Sequence, residues 1–526
     1  MSKENAERQE LGKNLGPGAI WAVAVGSIIG WGCFIQGANW TERAGGPGPL
    51  MLGFIVGALL MIVVGISYSY MIAKFPVAGG EFAYAYRGFG RTASYVCGWM
   101  LSLGYLSIVA LNATALPVLA GYLFPSVFNR GYLYTIAGYD VYAGEIALSV
   151  FFIILFGIMN YRGVKSVGKV QLAMVLIMCG AVVISIVGTA VTGNFQVENL
   201  QPVSGGGGVS FGSGFISILA LAPFLYVGFD CIPQAAEEYD FPPKKAKMLI
   251  CSALVVGALI YAGMALVTDV VMPWDQLFSL TDANGAPIKW YTGAVLEMAM
   301  GKVGVGFVAL AVCMGIFTGM NGFFMTSSRL LFGMARAKML PGIFGKIHKK
   351  YQTPASCVIF TMIICCVCPF FGREVISWVV DMCSVGTAFG YFFTCAGAFI
   401  LLKTTDTSKD ENVMSPVVAL AGCFISVAIL LLLIVPGSPA FMAKQSWIAL
   451  AGWVVIGGGF YLVSRKSFVN IPKVEMDYLI RGAYSAEESE PEEMLPERVI
   501  LSAQSLKVRK VIPPKPVQGH LVIDTH

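Results

Sequence analysis

The chain has 526 residues, of which 56% are hydrophobic and only 12% are charged. Soluble domains typically have about a quarter of their residues charged, so this composition excludes a soluble globular protein. The net charge of +5 comes from basic residues scattered over short loops, a pattern that does not indicate nucleic acid as a partner. Long uncharged runs along nearly the whole chain predict an all-α polytopic membrane protein embedded in a lipid bilayer.

The chain divides into three predicted regions. Residues 1–14 are polar and lack the apolar core of a signal peptide, so we expect a cytoplasmic N-terminal segment. Residues 15–465 are expected to form the transmembrane domain, and residues 466–526 a partly disordered cytoplasmic tail, because the tail is polar and acidic. Twelve apolar runs are candidate spanning helices, at residues 17–39, 48–73, 93–123, 144–160, 168–192, 211–235, 248–272, 294–328, 355–372, 377–402, 414–435 and 446–464.

The basic residues between these runs predict the orientation of the chain. If the N-terminus is inside, the inner loops contain most of the lysines and arginines, whereas the outer loops contain only Arg43, Arg130, Lys289, Lys302, Arg373 and Lys444. Cytoplasmic loops of membrane proteins carry the excess of basic residues. We therefore expect a multi-pass protein of the cell membrane with both termini in the cytoplasm.

The first apolar run is interrupted by glycines. Its centre reads Gly26-Ser27-Ile28-Ile29-Gly30-Trp31-Gly32. Each glycine costs a helix about 1 kcal/mol relative to alanine, and a helix broken in lipid must bury its free backbone groups in protein or in a cavity. The free N–H groups at the start of the second half would attract a carboxylate. The alternative is that Gly26 and Gly30 form a small-residue face for helix packing.

A second interruption lies in the sixth run. It reads Phe224-Leu225-Tyr226-Val227-Gly228-Phe229-Asp230. Paired interruptions in corresponding segments of two halves indicate the binding site of a transporter. An ionisable residue within a span is costly, so Asp230 is a candidate functional residue. Phe224 and Tyr226 either contact the ligand or pack in the core.

The sequence predicts no cofactor and no metal site. Nearly all 13 cysteines lie inside apolar runs, where cysteine serves as a small hydrophobic residue. The cluster Cys365, Cys366 and Cys368 has no histidine or carboxylate beside it, as a zinc site would be expected to have. The three histidines lie in a loop or in the tail, so we expect no histidine proton relay within the membrane.

Four segments together resemble the amino-acid permeases of the amino acid-polyamine-organocation (APC) superfamily. They are Gly26–Phe34, Asn160–Lys165, Gly228–Asp230 with Ala236–Glu238, and Arg329–Arg336 with Leu340–Pro341. The resemblance covers about residues 14–465 and leaves the tail outside.

The resemblance implies a fold and a site. The fold would be a five-plus-five inverted repeat (LeuT-like) with broken helices 1 and 6 and two further helices. Residues Gly26 to Gly32 would hold the substrate carboxylate, and the carbonyl groups before Gly228 would hold the amino group. Phe224 would cover the substrate as an aromatic lid. Thr318 and Asn321 would lie near the pocket.

The chain departs from the family pattern at two positions. The residue at the position of Trp31 is usually small, so this indole is expected to narrow the cavity or to form part of a gate. Some proton-coupled members have a lysine thirteen residues after the position that matches Lys165, and this chain has Met178 there. Methionine carries neither a proton nor a charge, which removes that route for proton coupling.

We therefore expect a secondary transporter that moves an amino acid or a related amine by alternating access, through exchange or facilitated movement. The alternative is a proton-coupled symporter that uses Asp230, since burial favours the protonated form of a carboxyl group. Sodium coupling, to which Thr318 could contribute a ligand, is disfavoured. A channel and an integral-membrane enzyme are disfavoured too, because the interruptions are paired within one chain and Asp230 is nearly isolated. Neutral, aromatic, sulfur-containing and cationic substrates stay open, as does the oligomeric state.

Overall fold

A computed structural model describes residues 10–128, 130–136, 139–281, 288, 290–404, 414–438 and 440–482. Over these ranges the chain is nearly all helical. The α-helices are α1 Pro17–Ile29, α2 Gly32–Ile35, α3 Gly37–Ala44, α4 Pro47–Lys74, α5 Glu81–Leu123, α6 Pro125–Phe128, α7 Ala143–Arg162, α8 Val164–Val191, α9 Phe211–Leu219, α10 Ala222–Tyr226, α11 Cys231–Gln234, α12 Ala246–Val271, α13 Tyr291–Arg336, α14 Ala355–Val367, α15 Val375–Thr404, α16 Pro416–Ile434, α17 Lys444–Val469 and α18 Lys473–Arg481. A short antiparallel hairpin, β1 Tyr132–Ile136 with β2 Tyr139–Tyr142, precedes α7.

Eleven helical stretches in the described ranges are long and apolar enough to cross a membrane. The protein is therefore a multi-pass membrane protein. The sixth predicted run, residues 211–235, is not one of the eleven because it is divided into α9, α10 and α11. Pro223 lies in the first turn of α10 and has no N–H to continue the hydrogen bonding of α9, so the helix ends before it.

The helices pack closely through small residues and turn an apolar surface outward. A methyl group added at Gly386 of α15 would lie 2.5 Å from the carbonyl oxygen of Met100 in α5, so the two helices touch backbone to backbone. Small residues allow such close contacts in membrane proteins. Leu259 and Val463 are 67% and 75% exposed, as expected for side chains that face lipid.

Both described ends of the chain lie on the same face of the helix bundle. The N–H of Leu11 donates to Glu237 Oε1 at 3.0 Å, and Arg336 at the end of α13 also donates to Glu237. Lys338 lies two residues later and donates to Glu475 of α18 at 3.2 Å. An even number of crossings would produce this arrangement. The cytoplasmic location of that face stays a prediction.

The chain stays helical beyond the predicted end of the transmembrane domain. Helix α17 continues past Arg465 to Val469, and α18 follows, with Met476 and Ile480 buried. Arg91 of α5 donates to the carbonyl oxygen of Phe468 at 3.0 Å, so this part of the predicted tail is attached to the bundle. Most of the predicted tail lies outside the described residues, which do not include residues 1–9 and 483–526.

Candidate functional site

The first interruption is a short break at Gly30 and Trp31. Helix α1 continues through Gly26 and ends at Ile29, and α2 starts at Gly32. Gly30 has φ 49° and ψ −140°, a conformation that residues with a Cβ atom rarely adopt. The break is therefore narrower than the seven-residue segment that the sequence suggested.

Gly26 has a different role from Gly30. A methyl group on Gly26 would lie 2.5 Å from Cβ of Thr318 and 2.9 Å from Nε2 of Gln171. Gly26 thus allows α1 to pack closely against α8 and α13, as the helix-packing alternative expects. Gly30 is the residue that breaks the helix.

The second interruption lies directly against the first. Helix α10 ends at Tyr226, and Gly228 has φ 132°. A methyl group on Gly228 would lie 2.5 Å from the amide nitrogen of Ile28 and 2.8 Å from Cβ of Ser27. Asp230 stabilises this break locally, since its Oδ1 accepts the N–H of Gly228 at 2.8 Å.

A small, partly open cavity lies where the two breaks meet. Its wall is formed by Ser27, Ile28, Ile29, Gly30, Trp31, Gly32, Trp40, Ile108, Leu111, Asn112, Phe224, Val227 and Tyr261. The structure thus brings together six residues of the first predicted segment and two of the second. None of the lining residues is charged.

Three other predicted site residues lie behind the wall. Tyr226 donates to the carbonyl oxygen of Phe54 at 2.7 Å and packs edge-on against Tyr261. Gly228 contacts Ser27 and Ile28 from the side away from the cavity. Asp230 lies farther from the cavity, and none of its surface is exposed. These residues support the wall and do not form it.

The predicted residues on α8 and α13 also lie outside the wall. The Asn321 amide donates to Gln171 at 2.7 Å and accepts from Asn160 at 3.0 Å. The hydroxyl oxygen of Thr318 lies 2.8 Å from the carbonyl oxygen of Met314, in its own helix, and 3.2 Å from that of Gly26. Met178 is fully buried in α8. Thr318 thus connects α13 to the first helix, and Asn321 connects α13 to α8 and α7.

Sequence reasoning did not find Asn112 and Tyr261. The Nδ2 of Asn112 donates to the carbonyl oxygen of Ile108 at 2.8 Å, while its Oδ1 has no hydrogen-bond partner among the described residues. The Tyr261 hydroxyl lies within hydrogen-bonding distance of the carbonyl oxygens of Ile28 and Leu225, one at each break. An asparagine within an apolar run is a usable signal, whereas a tyrosine there is not.

A second carboxyl group, which the sequence analysis did not identify, lies close to Asp230. The Tyr105 hydroxyl is 3.1 Å from Asp230 Oδ2 and 3.2 Å from Glu81 Oε1. The Gln234 amide nitrogen donates to Glu81 Oε2. In the sequence Glu81 follows a glycine-rich turn and looks like a loop residue, but the structure buries it completely.

Two buried ion pairs hold the chain after α11 against α13. Arg329 Nε lies 2.8 Å from Glu238 Oε1, and Arg336 Nη2 lies 2.8 Å from Glu237 Oε2. Glu237 also accepts the N–H of Ala78 at 3.1 Å. These contacts close the end of the bundle that carries the two described termini.

Comparison with known proteins identifies the family. A family model described as amino acid permease matches residues 15–460. The chain belongs to the amino acid permease family. Through it, this permease belongs to the APC superfamily, and the family implies the APC fold. Since this is a family of transporters, membership excludes the membrane-enzyme alternative.

Several curated relatives of this permease are bacterial transporters. It is 26% identical to the methylthioribose transporter of Bacillus subtilis (strain 168), over 88% of this chain and 95% of the relative. It is 27% identical to the branched-chain amino acid permease BcaP of the same organism, over 66% of this chain and 72% of the relative. It is 26% identical to the aspartate-proton symporter of that organism, over 70% and 69% of the two chains.

Proposed function

We propose that this permease moves a neutral amino acid or a closely related neutral solute across the cell membrane by alternating access, with the substrate in the cavity between the two breaks. The contact between Gly228 and the Ser27–Ile28 backbone carries the proposal. Two discontinuous helices that share one cavity can change that cavity when either one moves. The short segments α2 and α10 are the parts that would move.

The wall chemistry supports a neutral substrate. It contains no charged side chain, and burying a charged substrate side chain without a partner is costly. Ile108, Leu111 and Trp31 offer an apolar surface. Among the described residues the buried Asn112 Oδ1 has no hydrogen-bond donor, so an N–H or O–H group of the substrate would satisfy it.

The backbone at the breaks supports the orientation that the family resemblance implies. N–H groups at the start of α2, after Gly30, would receive the carboxylate. The carbonyl groups before Gly228 would receive the amino group, and Phe224 would cover the substrate. Trp31 would narrow the cavity, and movement of its indole would act as a gate.

Exchange or facilitated movement is the proposed mode, because Met178 removes the fifth-helix charge. Proton symport through Asp230 is the second candidate, since this carboxyl group accepts a hydrogen bond from Gly228 at the second break. A curated relative is a proton symporter. A neutral sugar thioether is a second candidate substrate, since the curated methylthioribose transporter matches 88% of the chain.

A thermal-shift screen of the purified full-length protein tests the substrate class. The panel contains leucine, methionine, phenylalanine, lysine, glutamate and methylthioribose. A ligand at about 100 times its Kd stabilises a protein by about 2.7 kcal/mol, so a true substrate gives a clear shift. We expect the neutral compounds to stabilise the protein most. Stabilisation by lysine or glutamate alone would contradict the proposal.

Reconstituted liposomes test the transport mode. Preloaded unlabelled substrate is expected to accelerate uptake of labelled substrate, and Phe224→Ala is expected to reduce that uptake. Phe424→Ala, at a position 66% exposed toward lipid, is the matched control and is expected to keep it. Accumulation in empty vesicles that is driven by a proton gradient and abolished by Asp230→Asn would establish symport instead.

A further inference from the structure

Two carboxyl groups meet at a single hydroxyl group behind the cavity. Glu81 and Asp230, here called the carboxyl pair, both lie within hydrogen-bonding distance of the Tyr105 hydroxyl, at 3.2 Å and 3.1 Å. All three side chains are completely buried. Neither the family pattern nor the sequence placed Glu81 in this site.

The hydrogen atoms in this arrangement can be counted. The Tyr105 hydroxyl donates one hydrogen, so it can satisfy only one of the two carboxyl groups. If both were ionised, the other carboxylate oxygen would face an oxygen lone pair of Tyr105. A proton on one carboxyl group turns that contact into a second hydrogen bond, with the carboxyl donating to Tyr105 and Tyr105 donating to its neighbour. The contacts are therefore satisfied when the pair holds one proton.

The surroundings also favour one bound proton. The titratable groups that face the pair are Tyr68 of α4, Tyr84 and Cys97 of α5, Cys231 of α11, and Cys383 and Tyr391 of α15. Tyrosine and cysteine are ordinarily neutral at pH 7. Among the described residues, no lysine, arginine or histidine forms a hydrogen bond or ion pair with either carboxyl group. Two buried carboxylates without a cation repel each other, and a proton removes that repulsion.

An independent observation points to a missing donor at the same place. The side chain of Gln234 is fully buried, and its Oε1 has no hydrogen-bond partner among the described residues, although its Nε2 donates to Glu81. A buried acceptor without a partner costs about 1–3 kcal/mol. Gln234 Oε1 is therefore an acceptor beside Glu81 that a further donor would satisfy.

The pair is mechanically connected to the substrate cavity. Asp230 Oδ1 accepts the N–H of Gly228, and Gly228 lies against Ser27 and Ile28, which line the cavity. Glu81 is the first residue of α5, which also supplies Asn112 to the cavity wall. Movement of the second break would therefore change the distance between Asp230 and Tyr105.

We propose that Glu81, Tyr105 and Asp230 form a proton-binding site whose occupancy changes when the second break moves. The proton belongs to the pair and not to either carboxyl group alone. Substrate binding and proton binding are then linked, whichever transport mode the permease uses. This inference rests on the proposed transport function, because its readout requires a bound substrate.

The experiment measures substrate binding as a function of pH on the full-length protein. Leucine, or another neutral amino acid that gives the largest thermal shift, is titrated between about pH 5 and pH 9, a range that excludes most tyrosine ionisation. For wild type, the apparent Kd is expected to change by nearly tenfold per pH unit where the pair titrates, as one linked proton requires. A pH indicator in weak buffer should report proton exchange when leucine is added.

The variants separate the pair from other buried acids. Glu81→Gln removes the shared proton with little change in shape, and we expect the Kd to change less than about twofold over the same range. Tyr105→Phe leaves both carboxyl groups but removes the bridge, and we expect a displaced or weakened pH response. Asp269→Asn is the matched control, because Asp269 is also fully buried, with a hydroxyl partner in Thr41. The apparent Kd of this variant should depend on pH as it does in wild type.

Several results would overturn the inference. One is a wild-type Kd that does not depend on pH. Another is a pH dependence of Kd in Glu81→Gln and Tyr105→Phe that equals that of wild type. A third is a Kd that depends on the sodium concentration in place of pH. If Glu81→Gln does not fold, the pH dependence of Kd in Tyr105→Phe alone tests the inference. Absence of any stabilising ligand and of any uptake in wild type is a different outcome, and it contradicts the proposed transport function itself.

Discussion

Gly228→Ala tests the contact between the two breaks most directly. Gly228 has φ 132°, where a residue with a side chain is strained by about 1–3 kcal/mol. The new methyl group would also lie 2.5 Å from the amide nitrogen of Ile28 and 2.7 Å from the carbonyl carbon of Ser27. Both neighbours are backbone and cannot rotate away, and overpacking of this kind costs about 1–3 kcal/mol more.

The total expected cost is about 2–6 kcal/mol. Because about 1.4 kcal/mol corresponds to a factor of ten, we expect substrate exchange in liposomes to fall at least tenfold if that cost falls on the substrate-binding form. Thermal unfolding in detergent gives the parallel measure of stability, and the apparent Tm is expected to fall as well. The breaks would be pushed apart at the wall of the cavity.

Two glycine controls divide this cost into its parts. Gly207 also has a positive φ, 61°, but an added methyl group there would have no atom of the described part of the chain within 4 Å. Gly207→Ala therefore reports backbone strain alone, about 1–2 kcal/mol. Gly180 lies inside α8 in open space, so Gly180→Ala should be neutral or stabilising by up to about 1 kcal/mol. In the opposite outcome, Gly228→Ala loses no more stability than Gly207→Ala and exchanges substrate at the wild-type rate. That result would show that the contact of Gly228 with Ser27 and Ile28 matters neither for stability nor for transport.

Three further predictions concern the gate, the ion pairs and the orientation. Trp31→Ala is expected to shift substrate preference toward bulkier compounds in competition assays, whereas the exposed Trp447→Ala should not; lost stability with unchanged preference would contradict this. Arg329→Met leaves a buried carboxylate unpaired, so we expect a loss of about 3–5 kcal/mol, seen as a lower Tm. Glu475→Gln breaks an exposed pair and should cost at most about 1 kcal/mol; equal losses would argue against the burial effect. A reporter fused after Gly482 is expected to read as cytoplasmic.

Local chain chemistry was sufficient to predict the helical membrane architecture and the two breaks. A run of apolar residues predicts a span, whatever the neighbours of that helix are. Gly30, Gly228 and Pro223 interrupt helices because of their own backbone geometry and missing N–H groups. The sixth span is divided before α10 by Pro223, which the sequence analysis did not single out, and after α10 by Gly228, which it did.

Contacts between distant segments depended on the tertiary structure. Glu81 and Gln234 are 153 positions apart in the chain, and nothing local in the sequence brings them together. Asn321 looked like a pocket residue, but the rotation of α13 directs it to Gln171 and Asn160, while Asn112 of α5 reaches the cavity instead. Helix rotation and tilt are set by packing against neighbouring helices and not by the pattern of a single helix. The breaks were therefore readable from the sequence, but the side chains that surround them were not.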